Sequence, residues 1–446
     1  MNSPTAQTLA RLRDFESRNV TFMEADGSWP IVWTRARDVN VWDAEGRKYL
    51  DLTAAFGVAA AGHANPRVVR AGQRQLATLP HAMGDVHPHP LKAELARELS
   101  RLTFERWGEV KSKGKRQKAK GARLSGKTIF CNSGFEAVEA ALKTATLATG
   151  KRGVIAFEGA YHGLGYGALN VTHREHFRSP FRSQLREFGH FLPFPMADAN
   201  LKSLKAAGAK LLQAGAIGAI LIEPIQARGG NRVPPPEFLR LLRELCDQHG
   251  ALLILDEIYT GFGRTGKWFA CEHSGVVPDV ICLGKALTGG FPLSACVGRA
   301  EIMDRAWPVS TGEAIHTSTF LGNPVGCAMA LANLAEIRRL KLADRTARLG
   351  EWLLAELLKV QGSKFTIVCR ARGLGLMAGL ELLRANGSPA TAESLAVIKR
   401  LLHRGFIFLP EGEHANVIGF TPPLTITAAQ LRRAVRALAE ELAALP

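Results

Sequence analysis

Ala251-Leu252-Leu253-Ile254-Leu255-Asp256-Glu257-Ile258-Tyr259-Thr260-Gly261-Phe262-Gly263-Arg264-Thr265-Gly266-Lys267 reads as a buried strand that ends in a carboxylate and enters a glycine-rich turn. A second apolar run, Val280-Ile281-Cys282-Leu283, ends in Gly284-Lys285-Ala286-Leu287. Short continuous apolar runs mark strands covered on both faces, as in a parallel sheet. Open α/β sheets bind ligands at the C-terminal ends of their strands. The two runs therefore bring opposite charges to one edge, the Asp256 carboxylate and the Lys285 amine.

That pair suits pyridoxal 5'-phosphate. The cofactor needs a lysine for a Schiff base and an acid that keeps its pyridine nitrogen protonated. A lysine walled in by Gly284, Ala286 and apolar neighbours has a lowered pKa, which favours the neutral, nucleophilic amine.

With Pro278-Asp279 between them, the two stretches resemble the class III, or ω-type, aminotransferases. The resemblance implies an α/β fold of fold type I, with a large domain around a mostly parallel sheet and a smaller α+β domain. It implies Lys285 as the Schiff-base lysine, Asp256 as the pyridinium partner, Ile258 on one ring face and Tyr259 near the ring hydroxyl. Many members carry glutamine at the Tyr259 position.

Composition agrees with a soluble enzyme of two lobes. The chain has 446 residues, 46% of them hydrophobic, and that length exceeds what one core usually supports. No apolar stretch approaches a bilayer span, and Met1 to Asn19 lacks the apolar core of a signal peptide. Seven scattered cysteines without a CxxC pair point to reduced thiols. These features predict a cytoplasmic protein with no membrane partner. The net charge of +17 is partly local, in the basic run Lys111 to Lys120. Without interleaved aromatic residues for base stacking, the run reads as a solvated insertion, about residues 108–126, rather than a nucleic-acid site.

Further motifs extend the resemblance from about residue 30 to the C-terminus. Three short strands, Pro30–Trp33, Val39–Trp42 and Tyr49–Leu52, lead to Gly62-His63-Ala64-Asn65-Pro66, where Asn65 caps a helix with Pro66 at its first position. The segment Ala54-Ala55-Phe56-Gly57 lines the substrate entrance in the family, making Phe56 a candidate pocket wall. His87-Pro88-His89 reads as a turn, since its proline precludes a helical metal pair. Lys127 to Cys131 is a strand that runs into Asn132-Ser133-Gly134-Phe135-Glu136-Ala137, and the amides of Ser133, Gly134 and Phe135 at this helix start can hold a phosphate. Phe135 stands where members carry a small or hydroxyl residue. Tyr161, before His162-Gly163, takes the place of the aromatic that stacks on the cofactor ring. Glu223-Pro224-Ile225-Gln226-Ala227-Arg228-Gly229-Gly230 resembles the family's Glu-Pro-Ile-Gln-Gly-Glu-Gly-Gly, which adds Glu223 to the cofactor set. In Gly312 to Pro324, Ser318 and Thr319 match a loop that reaches the neighbouring subunit's phosphate, so a homodimer with shared sites is implied.

Two departures bear on substrate. Members acting on α-amino or α-keto acids carry an arginine three residues before Pro422-Pro423, where this chain has Gly419, and a glutamate where it has Arg228. Arg228 is then a candidate carboxylate clamp. The acidic Glu411-Gly412-Glu413 suits a diamine instead. From about residue 328 amphipathic helices, a glycine-spaced strand at Arg372 to Leu382 and a last helix, Ala428 to Leu445, complete the chain. The expected lobes are residues 1–66 with 328–446, and 67–327. The expected function is transfer of an amino group from an amine or ω-amino compound to a keto acid acceptor. An epimerase or aminomutase of the same family is one alternative, and a non-catalytic nucleic-acid-associated protein using the basic run is another.

Overall fold

The computed structural model describes residues 3–113, 124–363 and 365–445. The central sheet has, in order, Gly126–Cys131, Ser294–Arg299, Val280–Leu283, Leu252–Asp256, Ile217–Ile222, Gly153–Phe157 and Gly189–Leu192. Only Ser294–Arg299 runs antiparallel to its neighbours; the other pairings are parallel. This is the expected α/β architecture.

Both faces of the sheet are covered, which explains the unbroken apolar runs. Side chains alternate across a strand. Leu252 and Ile254 pack in one cluster with Ala137, Val138 and Ala141 of the helix Gly134–Thr149. Leu253 and Leu255 pack in another with Phe238, Leu242 and Leu245 of the helix Phe238–His249. The same alternation separates the two acids that end the strand. Glu257 turns away to accept the backbone N–H groups of Ala270 and Cys271, both at 2.8 Å. Asp256 is left for the site.

The N-terminal strands Trp33–Arg37, Asn40–Asp43 and Lys48–Asp51 form a separate sheet, completed by Phe406–Ile407 from near the C-terminus. The first, Trp33–Arg37, shares only Trp33 with the expected Pro30–Trp33, so that strand lies further along the chain than its apolar residues suggested. Asn65 caps the helix Pro66–Thr78 as expected, its side chain accepting from Arg67 N at 3.0 Å. The stretch expected as one strand from Arg372 to Leu382 is a hairpin, Val368–Leu374 against Met377–Leu383. Gly375 turns it at φ +61°, and a Cβ there would stand 2.4 Å from the Thr265 carbonyl carbon. That contact brings the hairpin onto the glycine-rich turn after Asp256. The buried Arg264 guanidinium reinforces it by donating to the carbonyls of Leu376 and Pro422, at 3.0 and 2.6 Å.

Residues 114–120 of the basic run lie outside the described residues. No helix among the described residues is long and apolar enough to cross a membrane.

Candidate active site

The strand register fixes the first two functional groups. Asp256 pairs with Cys282, and the neighbouring strand ends one residue later, at Leu283. Gly284 then lets the chain turn into Lys285–Leu287. Lys285 itself sits at φ +40°, a left-handed conformation that is uncommon for a residue with a Cβ. Its side chain is directed inward, with Nζ 4.6 Å from the centre of the Tyr259 ring. Burial lowers the Lys285 pKa, while the negative charges of Asp256, Glu223 and Glu411 act against that shift.

A cavity of about 470 Å³ gathers most of the residues singled out in the sequence. Gly134, Phe135, Tyr161, Glu223, Arg228, Asp256, Ile258, Tyr259 and Lys285 line it. Asp256 is buried, accepting from Ile258 N at 3.1 Å and bonding His162 Nδ1 at 2.8 Å. His162, which the sequence motif marked only as a neighbour of Tyr161, thus braces the acid. Glu223 accepts the Tyr161 N–H at 3.0 Å and so fixes the backbone that carries the aromatic ring. Burial pushes the Glu223 carboxyl up to about 7. Tyr259 bonds Thr421 Oγ1 through its hydroxyl at 3.1 Å. A Cβ on Gly57, at φ +80°, would stand 2.8 Å from the Tyr259 ring, so this close approach requires glycine.

Other expected residues lie elsewhere. Phe56 does not line this cavity; it is half-exposed beside a smaller apolar one, with Trp29, Trp33 and Leu402. Gly419 is buried on the strand Val417–Phe420 and makes no wall. A Cβ on it would stand 3.2 Å from Glu411 Cγ, so the side chain of Glu411 fills the space that glycine leaves. Glu411 is not part of an exposed acidic turn. It is buried on the strand Leu409–Glu411, with Oε2 3.4 Å from Arg228 Nη1. Glu413 is exposed, and its carbonyl accepts from Arg174 Nη2 at 3.3 Å. Ser318 and Thr319 lie on an exposed loop, where Ser318 Oγ accepts from Asn132 Nδ2 at 3.4 Å. A larger cavity, about 880 Å³, contains Lys143, Arg152, Arg186 and Trp307 but none of the groups gathered around Lys285.

The comparisons with known proteins agree with this geometry. The sequence profile of the family described as aminotransferase class-III matches residues 22–442. The chain belongs to the class III aminotransferases. It is 38% identical over 426 residues to a 5-aminovalerate aminotransferase of Pseudomonas aeruginosa, covering 92% of this chain and 93% of that one. It is 34% identical to a 2-aminoadipate transaminase of Pseudomonas putida, with 93% and 96% covered. Among solved structures, the ornithine aminotransferase of Toxoplasma gondii superposes with a TM-score of 0.82 at 28% identity, over 99% of this chain and 95% of that one. The protein is a pyridoxal-phosphate-dependent aminotransferase.

This transaminase has a cavity that fits the cofactor on its own features. A buried acid, Asp256, and the partly covered amine of Lys285 face it. Ser133 Oγ and His162 Nε2, both buried, have no protein partner. Ile258 packs on the bare Cα atoms of Gly134 and Gly284, where added Cβ atoms would stand 3.1 and 3.3 Å from it. Those glycines leave the width that a flat ring needs.

Proposed function

We propose that this transaminase takes an ω-amino acid as donor and a keto acid as acceptor, with Arg228 holding the substrate carboxylate. The observation that carries the reading is the presence of the Arg228 guanidinium in the same cavity as Lys285 and Asp256. A guanidinium suits a carboxylate because its paired N–H groups match the two oxygens. The similarity to enzymes named for 5-aminovalerate and 2-aminoadipate supports it. The diamine reading loses its ground, since Glu411 is already committed to Arg228 and Glu413 faces outward.

When bound, pyridoxal phosphate supplies an electrophilic carbon for the donor nitrogen and a ring that accepts the electrons released as the donor's C–H bond breaks. Lys285 would hold the cofactor covalently. Its Nζ, whose burial disfavours the charged form, would take the proton released from the donor carbon and return it later in the same half-reaction. Asp256, oriented by His162, would be the acid partner of the pyridine nitrogen. Tyr161 and Ile258 would confine the ring from its two faces, with Tyr259 at its edge. Gly134 and Phe135 would hold the phosphate with the amides of the helix start; the Ser133 amide expected to join them is already donated to Glu136 Oε2 at 2.8 Å, which leaves Ser133 its hydroxyl.

Ser318 and Thr319 complete that phosphate site from a second copy in a homodimer. Their exposure in this chain supports the assignment. The seven free, buried thiols fit a cytoplasmic protein. Mixing subunits carrying Lys285→Ala with subunits carrying Ser318→Ala and Thr319→Val tests the shared site. Each parent is defective, but a hybrid regains one complete site if the hydroxyls act in trans. No recovery in a demonstrated hybrid places them in cis.

Arg228→Gln tests the donor class. It is expected to cut kcat/KM for a five-carbon ω-amino acid by about 10- to 100-fold, the usual range for a lost charge-assisted contact. The alkylamine of equal length keeps its rate within a few fold. Equal loss with both donors removes Arg228 as the clamp.

A further inference from the structure

Arg228 does not face the cavity as a free cation. Glu411 stands behind it, nearly covered, while the arginine side chain keeps 31% of its surface exposed. The two elements are tied together, since Gly412 N donates to the Arg228 carbonyl at 3.1 Å. Glu411 lies over Gly419, and its strand pairs with Val417–Phe420. Its side chain is thereby almost wholly covered. An incoming substrate carboxylate would therefore meet an arginine whose charge is already balanced by a buried acid.

Two anions sharing one guanidinium in a covered site repel each other, and the simplest relief is for one to take a proton. We infer that Glu411 takes up a proton from solvent when a substrate carboxylate binds Arg228, and gives it back when that carboxylate leaves. The buried acid becomes a neutral carboxyl, and Arg228 exchanges one anionic partner for another without moving. The same cavity then presents a balanced pair to donors without a carboxylate and a free cation to those with one. This rests on the ω-amino acid reading above, and makes Glu411 the residue that sets its pH dependence.

The surroundings support the assignment. Burial pushes the Glu411 carboxyl up to about 7 despite the opposing charges of Arg228, Lys285 and Arg174, with Glu223 acting in the same direction as burial. Tyr259 also faces it. Arg174, itself influenced by Arg228, Glu413 and Glu411, adds a second cation near the pair. The acid is thus poised to change charge near neutral pH, and a second negative charge on Arg228 can only raise its pKa further.

A group whose pKa rises on binding takes up a proton, so binding weakens as pH rises above the free-enzyme pKa. For holoenzyme, the ratio of kcat/KM for 5-aminopentanoate to that for 1-aminopentane is expected to fall with rising pH above about 7, by up to tenfold per unit, the slope of one linked proton. Using the ratio cancels the titration of Lys285, Glu223 and the donor amine. Glu411→Gln should flatten it and raise it at high pH. Independently, titrating unreactive pentanoate into holoenzyme in two buffers of different ionisation heat should show net proton uptake near pH 8, lost in Glu411→Gln. A pH-independent ratio in the wild-type enzyme, a slope that survives Glu411→Gln, or pentanoate binding without proton uptake would each overturn the inference. Should Glu411→Gln not fold, the wild-type ratio and calorimetry decide alone. If neither donor reacts, the donor assignment fails instead, and that result is distinct from a flat ratio.

Discussion

Lys285→Ala is expected to reduce turnover by at least about a thousandfold, because the proposed mechanism makes one side chain both the covalent anchor and the proton carrier. Borohydride treatment of the loaded enzyme traps a covalent adduct on Lys285 in the wild type and none in the variant. The fold should survive. Alanine tolerates the φ of +40° no worse than lysine does, and the change removes an amine whose burial disfavours its charge. Thermal unfolding midpoints within a few degrees of each other would show that the loss is chemical. Turnover that persists in Lys285→Ala would mean another amine does the work.

The second large effect belongs to Asp256. Asp256→Asn keeps the shape of the side chain and its bond to Ile258 N, but removes the carboxylate that, in the proposed mechanism, stabilises a protonated pyridine nitrogen. The variant should still bind pyridoxal phosphate, visible by its absorbance, because the phosphate and ring contacts are elsewhere. Its turnover should fall by about a hundredfold or more, the scale on which a preorganised electrostatic group acts. The His162 Nδ1 contact at 2.8 Å makes the result readable. Asparagine can still bond the imidazole through its side-chain oxygen or nitrogen, so a large loss reports charge rather than collapse. An unimpaired rate would remove Asp256 from the mechanism.

How legible the site was depended on sequence distance. Asp256 and Lys285 could be read because each ends a buried strand, and adjacent strands of a parallel sheet end at the same edge. The helix start at Ser133 and Gly134 could be read for the same reason, as local chemistry with a local signature. The His162–Asp256 contact could not, since it joins loops 94 residues apart through a tertiary fold. Glu411 was harder still. Pro410-Glu411-Gly412-Glu413 has the composition of an exposed turn, and only its pairing with Val417 and the bare Cα of Gly419 bury the acid against Arg228. The hairpin at Gly375 was missed because an apolar, glycine-spaced run fits one strand or two. Its turn is decided by the close contact with Thr265.

The half-reaction tests the central assignment most directly. Loaded enzyme is mixed with one amine at a time, without an acceptor, and followed by absorbance. Lasting conversion of the lysine-bound cofactor to its aminated form is expected, fastest with an ω-amino acid, with reversal on adding a keto acid. Return of the original spectrum while the donor is racemised or rearranged would contradict it, and would make the enzyme an epimerase or aminomutase.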